Sequence, residues 1–417
     1  LVRAGGPWVL QSFGGGESGC RMSQSPHIAL YIDPPSPSFL RDQFFNVECA
    51  AHGGDQILTP YAYLRSYLAP FEIPVHTADY LPPESNVVRN VYVSMGNLAN
   101  YRRIGQRNDT VLSAFFAMEC PTVEPKMYRE LSQAQHYFKR IFSWSDTSAL
   151  EPFVGGTLRC EPFRWPQSFD SVHEEIWRRT ERGFLVMING NKFPRFKSPC
   201  RELYSERLRA LEYFCRTGEI DLYGVGWDGP TFIIGQVHVP GTFGKVPLPG
   251  TVQRINRKLV TYWQRFFPDP RLVAARRVYR GFATSKAETL GKYKFALCFE
   301  NSILKGWVTE KIFDCFFAGT VPVYWGAPNI HDYVPAECFI DMQRFKDYGE
   351  LKSFLRSLTD QDIASYKEQA REFLGSPAFQ PFTKQAFAQL FAHMIEEDTG
   401  VKLTTVGREQ AQMPARN

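Results

Sequence analysis

Residues 293–326, YKFALCFENSILKGWVTEKIFDCFFAGTVPVYWG, constrain the fold of this chain more than any other stretch. A continuous apolar run (294–299) with no polar alternation is the signature of a strand buried on both faces, as in a central parallel sheet. Residues 308–318 then carry helical spacing, and 321–325 form a second short apolar run. Strand, helix and strand in that order demand a parallel crossover, so this segment cannot be part of a hairpin or an all-helical bundle. Glu300, Asn301 and Ser302 then emerge at the carboxyl end of the first strand, the edge where open α/β sheets bind ligands.

The same alternation recurs along the chain. Strand candidates lie at 27–32, 91–94 and 111–118, with helical periodicity over 126–142. A second series opens with GFLVMI at 183–188, continues through an amphipathic helix over 203–214 and reaches IDLYGVGW at 220–227. After the central segment come CFIDM and three helical stretches. The reading is an α/β chain of two Rossmann-like domains facing an interdomain cleft. The expected boundaries are a Gly- and Ser-rich lead-in over 1–25, an N-terminal domain over 26–165 and a C-terminal ligand-binding domain over 166–375. Residues 228–279, rich in Pro, Gly and Arg, read as an insertion in the latter, and 376–417 as a C-terminal helical tail.

Composition narrows the function. With 417 residues and 44% hydrophobic content the chain can bury two cores. A formal net charge of +5 lacks the dense cationic footprint of a phosphate-backbone binder, which argues against nucleic acid and fits a small anionic ligand. The nine cysteines (Cys20, Cys49, Cys120, Cys160, Cys200, Cys215, Cys298, Cys315 and Cys338) are scattered and form no CxxC pair, which argues against a zinc site or a disulfide framework. Asn108-Asp109-Thr110 matches a glycosylation triplet, a pattern common by chance. No window reaches the roughly 18 apolar residues of a membrane span. The chain starts at Leu1, so a leader or anchor removed upstream is compatible with it.

Within the central segment, Thr309 is a good N-cap residue whose side chain is expected to accept a backbone N–H. Glu310 and Lys311 fall in the first helical turn, where free N–H groups favour an anion and a lysine adds full charge. A diphosphate suits that cradle, and a carboxylate there can accept hydrogen bonds from ribose hydroxyls. The structural alternatives are a Glu that complements the helix dipole, a Lys on a solvated face and, for Trp307, a core or domain-contact aromatic in place of a ring that stacks on a sugar or base.

These residues resemble the α1,3/1,4-fucosyltransferases, inverting enzymes that use GDP-fucose. The pattern is similar to that family's YKF-x-L-x-FENS, Y-x-TEK and AG-x-VPV-Y-x-G, matched here by 293–302, Thr309-Glu310-Lys311 and 318–326. Trp307 stands where the family commonly has Tyr, so a hydrogen bond accepted by that hydroxyl does not carry over. The resemblance implies a donor site of Arg207, Glu300, Asn301, Trp307, Glu310 and Lys311, with Arg207 and Lys311 on the diphosphate and Glu310 on ribose. Arg207 follows from SERLRALEYFCRTGEIDLYG, which resembles the family's Arg-led helix and following strand. It further implies a general base, placed at Glu119 by the AMECP context, where Cys120 replaces the usual Ser; Glu124 is the rival.

The expected reaction is transfer of L-fucose from GDP-β-L-fucose to a glycan hydroxyl, GlcNAc in an N-acetyllactosamine-type unit with α1,3 linkage. Because GDP leaves as a stable anion, positive side chains suffice, and no cofactor or metal is expected. The triplet Asp360-Gln361-Asp362 is read as helix capping and not as a metal motif. Expected partners are GDP-fucose and an oligosaccharide or glycoconjugate acceptor. The expected location is cytoplasmic or peripheral membrane in a bacterial-type cell, or the Golgi lumen if an anchor was removed. A GT-B transferase with another nucleotide-sugar, and an inactive GDP-sugar-binding protein, stay open as alternatives.

Overall fold

The computed structural model describes residues 27–48, 56–85, 88–194, 199–229, 231–234 and 270–403. Two parallel sheets organise them. The first holds β1 (His27–Asp33), β2 (Val75–Thr77), β3 (Val88–Met95), β4 (Thr110–Ala117), β5 (Arg140–Ser143) and β6 (Glu161–Pro162) in the spatial order β2-β1-β3-β4-β5-β6. The second holds β7 (Gly183–Ile188), β9 (Ile220–Tyr223), β11 (Tyr293–Phe299), β12 (Val321–Trp325) and β13 (Ile340–Asp341) in the order β13-β12-β11-β7-β9. A short parallel pair, β8 (Lys192–Pro194) with β10 (Phe232–Ile234), borders the second sheet. Helices cover both sheets, which is why their strands are apolar throughout: every residue of β11 from Phe295 to Phe299 is buried.

Two β-strand–helix–strand units form as the periodicity implies. Helix Tyr204–Cys215 links β7 to its parallel neighbour β9, and helix Glu310–Ala318 links β11 to β12. The expected helix over 126–142 is corrected: the helix stops at Ala134, and 140–143 are strand β5. Ile141 and Phe142 are both buried, and Phe142 stacks on Phe116 of β4 at 4.8 Å, so cross-strand packing overrides local helical spacing. The lead-in over 1–25 lies outside the described residues, as do Cys20, Cys49 and most of 228–279, of which β10 and helix Pro270–Arg277 are seen. Cys120, Cys160, Cys215, Cys298, Cys315 and Cys338 are free thiols.

Helix Lys384–Thr399 leaves the second sheet and returns to the first. Phe387, Phe391, Met394 and Ile395 join the N-terminal core, and buried Asp398 pairs with Arg140 at 3.0 Å. The Asp360-Gln361-Asp362 triplet opens helix Asp360–Leu374: Asp362 accepts the Thr359 N–H at 2.8 Å in a reciprocal capping box, and Asp360 pairs with Lys294. Among the described residues no helix is long and apolar enough to cross a membrane.

Candidate active site

The site grows from the end of β11. Pairing with β12 extends one residue beyond the strand, through the Glu300 N–H to the Trp325 carbonyl (2.8 Å), and turns the Glu300 side chain inward until it is fully buried. Its carboxylate accepts the Thr309 N–H at 2.8 Å and the Thr309 hydroxyl at 2.8 Å, and lies 3.2 Å from Lys311 Nζ. Thr309 is the N-cap by backbone conformation, but the expected side-chain cap is corrected. Its hydroxyl serves Glu300 and accepts from Lys311 at 2.8 Å, while Glu300 satisfies an orphan N–H of the helix start from outside. Glu300 therefore sits behind the cavity wall and holds Lys311, and does not line the cavity itself. Gly326 is required here because an added Cβ would lie 2.4 Å from Glu300 Cγ.

Arg207 leaves the polar face expected of its helix neighbours. Glu206 pairs with Arg201 and Arg209, whereas Arg207 is buried, points at the end of β11 and donates to the Phe299 carbonyl and to Asn301 Oδ1 (3.1 Å). The Tyr204 ring lies 4.7 Å beneath its guanidinium. Arg207, Asn301, Glu310 and Lys311 line one cavity of about 460 Å³, and Glu119 lines it from the other sheet. The structure brings these five residues, singled out from the sequence, to one cavity.

Glu119 follows β4 in a bend, and its carbonyl accepts the Tyr128 hydroxyl at 2.7 Å. Its side chain is exposed to the cavity yet ringed closely by the cleft walls. That crowding pushes its carboxyl up to about 7, with Glu310 and Glu124 raising it further and Lys311 and Lys192 opposing. Glu124, the rival, is the N-cap residue of helix Pro125–Ala134 and does not line the cavity. For Glu310, burial raises the carboxyl and Lys311 and Lys286 more than reverse this, holding it at about 2. Burial lowers the Lys311 ammonium, but Glu300 and Glu310 outweigh it, so the lysine stays charged.

Trp307 is 1% exposed and stacks on Trp144, which follows β5, with ring centroids 4.4 Å apart and an interplanar angle of 14°. The ring is thus a domain contact as well as part of the cavity wall. Residues 303–307 dock against the first sheet. Leu304 and Trp307 enter the N-terminal core, Lys305 pairs with Asp146 at 2.9 Å, and a Cβ on Gly306 (φ +82°) would meet the Trp144 carbonyl at 2.6 Å. Among the cavity residues not foreseen are Trp144, Lys192 and Lys286. Lys192 was findable, since it follows the carboxyl end of β7. Trp144 lies just past the helix expected over 126–142, which left strand β5 before it unread, and Lys286, paired with Asp314, carries no local signal.

Two open parallel α/β sheets whose carboxyl edges share a cavity define the GT-B class of glycosyltransferase fold. The chain matches, over residues 274–371, the model of Glycosyltransferase family 10 (fucosyltransferase) C-term. It is similar to the alpha-(1,3)-fucosyltransferase FucT of Helicobacter pylori (40% identity over 74 residues, 18% of this chain and 16% of that protein). It is also similar to an alpha-(1,4)-fucosyltransferase of Arabidopsis thaliana (39% over 75 residues, 18% and 19%) and to GDP-fucose protein O-fucosyltransferase 3 of Xenopus laevis (39% over 74 residues, 18% and 16%). The chain thus spans a fifth or less of the length of these curated relatives. Among solved structures, an alpha1,3-fucosyltransferase aligns over 92% of this chain and 95% of that one, at 13% identity and a TM-score of 0.45. WaaG, a glycosyltransferase involved in lipopolysaccharide biosynthesis, aligns over 87% and 99%, at 12% identity and a TM-score of 0.44.

Proposed function

We propose that the protein transfers L-fucose from GDP-β-L-fucose to a glycan hydroxyl with inversion, forming an α1,3 linkage to GlcNAc of an N-acetyllactosamine-type acceptor. One observation carries the reading: Glu119, on one sheet, faces the same cavity as Arg207, Asn301 and Lys311, on the other. In this reading Arg207 and Lys311 hold the diphosphate, Glu310 accepts ribose hydroxyls, Trp307 walls the donor pocket and Glu300 positions Lys311. The acceptor oxygen attacks C1 of the fucose as the C1–O bond to the β-phosphate breaks. Glu119 takes the hydroxyl proton, and GDP departs with its charge on the two cations.

A carboxyl poised near neutrality suits a general base, because it is largely free to accept a proton and still basic enough to hold one. No metal enters the proposal, since the cations stand where charge develops. The proposed setting is the cytoplasm or membrane periphery of a bacterial-type cell, with recovery from a Golgi lumen pointing to the alternative. The test is labelled GDP-fucose with an acceptor array, comparing the natural chain with Glu119→Gln. We expect transfer by the natural chain and a kcat about 100-fold lower in the variant at unchanged donor affinity. GDP binding with no transfer by either protein refutes turnover, and a preference for GDP-mannose refutes the donor.

A further inference from the structure

A second cavity, of about 300 Å³, lies at the carboxyl edge of the first sheet where β1 and β3 are neighbours. The chain leaves β1 for β2 on one side and comes back to β3 on the other, so this is the topological switch point of that sheet. Such points leave a crevice outside the strand ends, and ligands of open α/β sheets bind there. Glu119 follows β4, two strand positions along the same edge, or about 10 Å sideways at the usual strand spacing.

The cavity is built from polar groups held rigidly. Asp33, 2% exposed at the end of β1, accepts from the Tyr92 hydroxyl, Asn97 Nδ2 (3.0 Å) and Asn100 Nδ2 (2.9 Å). A buried carboxylate held by three side-chain donors is an expensive way to fill a strand end unless the amides it orients are used. Asn100 Oδ1 and the exposed Arg103 guanidinium line the opening and make no hydrogen bond among the described residues. The chain just beyond the lining residue Leu40 is strained: Arg41 and Asp42 both adopt left-handed backbone, at φ 57° and 58°. That conformation costs of order 1 kcal/mol or more for each non-glycine residue and persists only where surroundings enforce it. Here Arg41 N–H is held by Asp79 at 3.0 Å, and Asp42 exchanges hydrogen bonds with Thr77 (3.0 and 2.9 Å) while pairing with Arg65.

We infer that this cavity is an acceptor subsite that takes the neutral sugar adjoining the one that receives fucose, through hydroxyl hydrogen bonds to Asn100 and Arg103. An amide oriented by a fixed carboxylate, with a guanidinium beside it, suits vicinal hydroxyls, and a span of about 10 Å matches one sugar step from Glu119 plus part of the next ring. The inference rests on the fucosyl-transfer reading above.

The experiment measures transfer to a panel of neutral acceptors, from N-acetylglucosamine to N-acetyllactosamine and longer glycans, by the natural chain, Ala99→Phe and Arg103→Ala. Ala99 and Arg103 are exposed lining residues, so neither change disturbs the core. Hydrolysis of GDP-fucose without acceptor and GDP affinity by calorimetry are read alongside. We expect the KM for disaccharide and longer acceptors to rise about tenfold or more in both variants, with the monosaccharide KM, donor hydrolysis and GDP affinity unchanged; tenfold is about 1.4 kcal/mol. An unchanged disaccharide KM or an equal rise for the monosaccharide overturns the subsite alone, whereas a GDP-binding chain that transfers to no member of the panel overturns turnover and the subsite with it. A natural chain that fails to bind GDP overturns the fucosyl-transfer reading and the subsite with it.

Discussion

Glu300 and Lys311 meet behind the cavity wall, Oε2 to Nζ at 3.2 Å, with Glu300 fully buried and the lysine side chain 25% exposed. The pair ties the end of one strand to the first turn of the next helix. Glu300→Ala strips Lys311 and Thr309 of a shared acceptor at once. Breaking a buried ion pair from one side costs about 3–5 kcal/mol, and the partial exposure of Lys311 sets the expectation near the lower figure. Chemical denaturation measures the loss. Glu300→Gln, which still accepts from Thr309, should lose less stability while weakening GDP binding.

Arg207 spends its planar guanidinium on a carbonyl and an amide at the strand end, so its orientation is set before any ligand arrives. Arg207→Lys keeps the charge and loses the fork. GDP affinity should fall about 10- to 100-fold, the equivalent of one or two charge-assisted hydrogen bonds at about 1.5–3 kcal/mol, with calorimetry as the readout. An affinity equal to that of the natural chain removes Arg207 from the donor site.

The acceptor kcat/KM should rise with pH and level off above about 7, because cleft crowding lifts the Glu119 carboxyl to that value and only the deprotonated form is a base. Below it, the rate should fall about tenfold per unit. Stability runs the opposite way. A folded-state value above the unfolded one means the native state binds more protons between about 4.5 and 7, so this group's contribution declines as pH rises through that window. Glu119→Gln should therefore melt higher than the natural chain at pH 8 and nearly with it at pH 4.

Trp144 belongs to the first sheet and touches the donor loop of the second through its stack on Trp307. Trp144→Ala should lower unfolding free energy by about 3–5 kcal/mol, the usual cost of deleting a buried aromatic. GDP affinity should fall as well, since residues 303–307 lead directly into Thr309–Lys311 and lose their seat. Trp144→Phe, which keeps a ring in the stack, should restore most of both.

Transfer should continue in excess chelator. Among the described residues no group of three or more His, Cys, Asp or Glu side chains is arranged to hold a metal ion, and Arg207, Lys311, Lys286 and Lys192 supply positive charge at the cavity. Activity lost to EDTA and regained with manganese contradicts this part of the proposal.

Legibility followed how local the signal was. The strands β7, β11 and β12 were readable because burial on both faces leaves an unbroken apolar run, and the position of Glu310 and Lys311 follows from the helix start. Strands β2, β5 and β6 were not readable. They are two to four residues long, and β5 adjoins a helical pattern that continues through it until Phe142 finds Phe116 across the sheet. The return of helix Lys384–Thr399 to the first sheet was equally invisible, because an amphipathic helix records that it has an apolar face and not which core receives it.

By itself, the order of residues determined the parallel crossovers, the strand-end and helix-start geometry at 299–311 and the chemical types available there, because each depends on hydrogen bonding and burial within a few turns of chain. Only tertiary structure decided that Glu300 turns inward to hold Lys311, that Arg207 abandons the solvated side of its helix, and that Glu119 crosses the cleft to face them. Those outcomes depend on which surfaces of two separate sheets exclude water together, and that is a property of packing across long sequence separations.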